Sequence, residues 1–197
     1  MEIDERNAFL RAVEKLLGAP ASFQSEGAAR IMTTSLRGRQ MDIGTNGAML
    51  WINCDFVWPN LREDALFMCA PHGSYLRAKM IEDGDIPATT GDLRFDNAYL
   101  LLGPGGAGLA GELNKELRSV LLDFADLWPA FRLYEVVFGE PPRHRPHIHV
   151  TPVLRDEPDF VGAVPMGTQR FTPEYCAIAA DRTAALANAL DAHLADD

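Results

Sequence analysis

The chain has 197 residues and a formal net charge of −10, with 47% hydrophobic and 23% charged residues. That balance excludes a disordered or collagen-like chain, and one core of this size buries roughly two-thirds of the unfolded surface without a disulfide or metal staple. The negative field repels nucleic acid and anionic membrane surfaces, so neither is expected as a partner.

In chain order, residues 4 to 17 predict a helix capped by Asp4, with Phe9, Val13, Leu16 and Leu17 on one face and Gly18 and Pro20 as the stop. Residues 19 to 33 read as irregular. Thr45-Asn46-Gly47 then predicts a hairpin turn between extended runs at about 35–43 and 48–57. Short strands are expected at 65–70 and 76–81, a surface loop at 82–92, and a strand at 95–102. Gly103-Pro104-Gly105-Gly106-Ala107-Gly108 leads into a long helix at about 107–127. Its stripe is Leu109, Leu113, Leu117, Val120, Leu121 and Phe124. Two strands, 131–138 and 147–154, flank a proline-rich turn. Thr172-Pro173-Glu174 opens a final helix over 173–195, with Ile178, Leu186, Leu190 and Leu194 along one side.

Strands and helices do not alternate in this order. The expected fold is therefore α+β: a mostly antiparallel or mixed sheet with an N-terminal, a long central and a C-terminal helix, forming a single domain over residues 1–197. No apolar run comes near the ~20 residues of a membrane-spanning helix. The acidic start, Met1-Glu2-Ile3-Asp4-Glu5, lacks the basic and apolar regions of a signal peptide. Cys54, Cys69 and Cys176 are widely spaced and odd in number, which fits reduced thiols in a cytoplasmic protein.

Three segments carry candidate chemistry. Gly103, Gly105 and Gly108 fit G-x-G-x-x-G between a strand and a helix. Over about ten residues, 102–111, this stretch resembles the nucleotide fingerprint of flavin and nicotinamide enzymes, which implies a pyrophosphate on helix N–H groups. The acid at the next strand position, Glu135, comes 32 residues after Gly103 (135 − 103), where about 20 is usual. The alternative is a plain glycine-rich turn.

His147 and His149 stand two apart in a predicted strand, which places them and Thr151 on one face and makes both candidate metal ligands. A third ligand has to come from elsewhere, and His72 is one candidate. His149-Val150-Thr151-Pro152 with His72-Gly73-Ser74-Tyr75 resembles the paired motifs of two-histidine phosphoesterases, in which the two imidazoles act as general base and acid. His144, His147 and His149 are similar in spacing to the histidine-triad nucleotide hydrolases, with one residue too many between the first two. The alternative is a solvated strand face. Arg143 and Arg145, beside His144, form a basic turn suited to an anion or to pairing with nearby acids. Trp51, Phe56 and Trp58 offer a binding patch or, more simply, core packing.

None of these motifs sits in a complete catalytic setting, and the sequence names no cofactor. The reading that follows is a non-enzymatic binding or assembly module, with a protein partner or a second copy as its natural complement. The alternatives are a hydrolase, metal-dependent or phosphodiester-directed, centred on His147 and His149, and a nucleotide-binding protein using Gly103 to Gly108.

Overall fold

A computed structural model describes residues 3–46, 50–55, 67–71, 81–82, 88–102, 110–111, 113–126, 131–138, 147–154 and 172–195. Helix α1 (Ile3–Leu17) carries Asp4 and Glu5 in its first turn and Lys15 in its last, which suits the helix dipole. It buries Leu10 and Val13, with Phe9 and Leu17 packed beside them. Leu16, expected in the core, is 49% exposed, because the buried stripe centres on Leu10, Val13 and Leu17 and leaves it on the border.

A four-strand meander follows: β1 (Ala21–Glu26), β2 (Ala29–Leu36), β3 (Arg39–Thr45) and β4 (Leu50–Asp55). Glu26 pairs with Ala29 and Leu36 with Arg39, so both first turns are two residues long. Arg37 and Gly38 have φ of 51° and 80°, the left-handed pair that a type I′ hairpin turn requires. These hairpins correct the sequence reading, which left 19–33 irregular and ran one strand through 35–43. The outward residues of β1 are Ser22, Gln24 and Glu26, so its pattern is weak, and arginine is an uncommon first residue for such a turn. The hairpin expected at Thr45-Asn46-Gly47 is present as the β3–β4 pair, Met41 opposite Cys54 and Thr45 opposite Leu50. Gly47 itself lies outside the described residues.

Farther along come β5 (Phe67–Pro71), helix α2 (Leu93–Ala98), β6 (Tyr99–Leu102), helix α3 (Lys115–Asp126), β7 (Phe131–Phe138), β8 (His147–Leu154) and helix α4 (Pro173–Ala195). The strand expected over 95–102 is half helix. Asp92 caps α2 by accepting from the backbone of Arg94 and Phe95, and this turn buries Phe95. The central helix is shorter than expected. Asn114 accepts from the Leu117 N–H at 2.9 Å and starts α3 at Lys115, well past the glycines. Of the strand expected at 76–81, residues 76–80 lie outside the described residues and Ile81 is helical.

Among the described residues eight strands form one sheet, in the order β1-β2-β3-β4-β8-β7-β5-β6, antiparallel at every junction. The α+β expectation therefore holds. The last strand in sequence, β8, sits between β4 and β7 in the middle of the sheet.

One face of the sheet makes the core. Met32, Leu36, Met41, Ile43, Leu50, Ile52 and Cys54 belong to one buried cluster with Leu10 and Val13 of α1, Leu117 and Leu121 of α3, and residues of α4. The buried side of α4 is mostly small: Cys176, Ala179, Ala180, Thr183, Ala184 and Ala187, with Leu186. Small side chains let a helix lie close on strands. Ile178, expected on this stripe, is 41% exposed because the stripe follows Cys176, Ala180, Thr183 and Ala187. Arg37 donates two hydrogen bonds to Asp181, at 2.7 and 2.9 Å. Arg39 reaches Asn188 at 2.7 Å and pairs with Asp191. The β2–β3 hairpin is thereby tied to α4. No described helix is long and apolar enough to cross a membrane.

Candidate functional site

Across β1–β4 the other face of the sheet has a different chemistry. Residues directly opposite each other on antiparallel strands share a face, so the register defines rows across it. One row runs Ser22, Thr33, Asp42, Asn53, His149 and Val137 through β1, β2, β3, β4, β8 and β7. In it the Thr33 hydroxyl donates to the Asp42 carboxylate at 2.6 Å. A second row holds Gln24, Ile31, Gly44 and Trp51. Asp55 lies opposite His147, and Glu135 opposite Thr151.

Gly44 apart, every residue that β1–β4 place on this face is half-buried or exposed, and the core residues of the same strands all lie on the opposite face. Gly44 is buried beneath Trp51. A β-carbon built there would stand 2.2 Å from the indole. The expectation that Trp51 packs in the core is thus corrected. It lies on the polar face and covers a glycine, which protects the backbone where no side chain can. Phe56 and Trp58 lie outside the described residues.

Charge is segregated between the faces. On the polar face β1–β4 carry the carboxylates of Glu26, Asp42 and Asp55 and no lysine or arginine. The arginines of these strands, Arg30 and Arg39, fall on the helix side by the same register, and Arg37 of the turn pairs with α4. A surface of this kind attracts cations and repels phosphates. The described side chains of β1–β4 form no metal site by themselves, so a cation site here needs donors from β8.

Strand β8 pairs with β4 next to this face. His147 and His149 occupy alternate positions, and the residues facing them across β4, Asp55 and Asn53, belong to the polar face. The sequence reading put the two histidines on one face but named neither Asp55 nor Asn53. The polar-apolar alternation of Asn53, Cys54 and Asp55 is a signal in the sequence, yet only the β4–β8 register shows which residue lies opposite each histidine.

Gly103, Gly105, Gly108, Arg143, Arg145, His72 and His144 lie outside the described residues. Strand β6, which leads into the glycines, pairs antiparallel with β5. Cys54 and Cys176 are buried free thiols. Burial, opposed by Arg39, pushes the Cys54 thiol up to about 12, and burial alone pushes Cys176 up as well. Both are poor nucleophiles. Compared with family models, curated proteins and solved structures, the chain matches none.

Proposed function

We propose that this protein is a non-enzymatic binding module that takes a cationic ligand on the polar face of its sheet. The observation that carries this reading is the segregation of charge in β1–β4: Glu26, Asp42 and Asp55 on that face, with Arg30 and Arg39 on the opposite one. Across β1–β4 this surface is rich in acceptors and carries no lysine or arginine, so it discriminates by sign. It disfavours nucleic acid and phosphorylated substrates, which the phosphodiesterase-like and nucleotide readings would need. The buried, reduced Cys54 and Cys176 suit a cytoplasmic setting.

The reading is tested by backbone amide NMR of the whole chain, titrated separately with zinc, calcium and spermidine. Shifts confined to β3, β4 and β8 are expected for at least one cation. Shifts confined to α1 and α4, or none with any cation, overturn it.

A further inference from the structure

We propose that the cation is a divalent transition-metal ion, bound where the β4–β8 register juxtaposes His147, His149 and Asp55; this rests on the polar-face reading above. His147 and His149 are two positions apart on β8, which separates their Cα atoms by roughly 7 Å along the strand. Asp55 is the direct partner of His147 on β4, and direct antiparallel partners have Cα atoms about 4.5–5.5 Å apart. The three residues thus stand at three corners of a two-by-two block on adjacent central strands, with Asn53 at the fourth corner.

Zinc takes imidazole nitrogen at about 2.0–2.1 Å and carboxylate oxygen at about 2.0–2.2 Å. Two histidines at alternate strand positions with one neighbouring carboxylate match that donor set. Two neutral imidazoles and one carboxylate also favour zinc, cobalt or nickel over calcium and magnesium, which prefer all-oxygen shells. The surroundings agree: Asp42 stands one strand beyond Asn53 in the same row, and β1–β4 bring no basic side chain to the face. Asp55 is solvent-exposed and is the last residue of β4, so an ion can reach it from solvent.

The test uses the full chain, stripped with chelator and titrated with cobalt(II) as a spectroscopic probe and zinc as competitor. One cobalt per chain, with a visible ligand-field band that zinc removes, is expected. Asp55→Asn should weaken binding roughly tenfold or more. The double variant His147→Ala with His149→Ala should abolish the band, and Gln40→Ala on the same face should leave it intact. Circular dichroism verifies folding of each variant, and Asp55→Asn keeps the test decisive even where the double variant in a central strand misfolds. No band with the wild-type chain overturns the metal assignment; spermidine-induced shifts on β3 and β4 in that case leave the cationic-face reading standing. A band unchanged in Asp55→Asn overturns the ligand set.

Discussion

The indole of Trp51 stands where a side chain at Gly44 would have to go: a β-carbon on Gly44 would fall 2.2 Å from Cε2 and Cζ2 of that ring. The two residues are direct partners across β3 and β4. Gly44→Ala must therefore displace the ring or the strand, at a cost of about 1–3 kcal/mol in urea unfolding. Trp51→Ala removes the obstacle, so the double variant should be more stable than the two single losses add up to. Additive losses would show that the ring moves aside freely.

Arg39 makes a second long-range tie, from β3 to Asn188 and Asp191 of α4, with the Arg39 and Asp191 side chains 18% and 23% exposed. Arg39→Ala leaves a partly buried carboxylate without its guanidinium. It should cost about 1.5–3 kcal/mol, the range for hydrogen bonds to charged groups. The Arg37–Asp181 pair is more exposed, at 52% and 42%, so Asp181→Asn should cost no more than about 1 kcal/mol. Chemical denaturation of both variants checks the ranking, and an equal loss would contradict it.

Acid should destabilise the protein in part through Asp92. Its carboxylate accepts from the Phe95 N–H, with further help from Arg94 N–H and Arg118, and these hold its pKa below the usual carboxylate range. A lowered folded-state pKa means the contribution is present above the unfolded value, about 3.9, and is lost as pH falls through the lower folded value. Hydrogen bonding from Arg37 does the same for Asp181. The melting temperature of Asp92→Ala should lie below wild type at pH 7, and the gap should narrow below about pH 4. A gap constant across that range would exclude the cap as its origin.

Cys54 and Cys176 should resist alkylation in the native protein, since both side chains are buried, 1% and 0% exposed. Iodoacetamide at pH 8 followed by peptide mass analysis should leave both unmodified, whereas the same reagent in guanidinium should label both. Native labelling at Cys176 would show that α4 lifts from the sheet.

The helices that bury one clear stripe were legible in the sequence. Helix α4 begins and ends where its proline start and apolar content place it, and β7 and β8 occupy the predicted ranges. What failed was local chemistry outvoted by context. Strand β1 reads as loop because half of it faces water, and α2 reads as strand because Phe95 and Leu101 are both buried, one from a helical turn and one from a strand. The candidate site is half legible. Alternation pairs His147 with His149, but Asp55 lies 92 residues before His147 (147 − 55), and no local pattern reports a register between strands so distant.

That register also sets the order in which the chain can be completed. Strands β1–β4 emerge early from the ribosome and can zip as hairpins, and β5–β7 form a second set. Among the described residues the two sets share no strand pairing until β8 arrives and pairs with both. Before residues 147–154 are made, β4 and β7 each present a raw edge, the feature most prone to pairing with another chain. Late insertion of a central strand is also a slow, non-local step. A nascent chain halted short of His147 is thus two sheets with sticky rims rather than an unfinished copy of one.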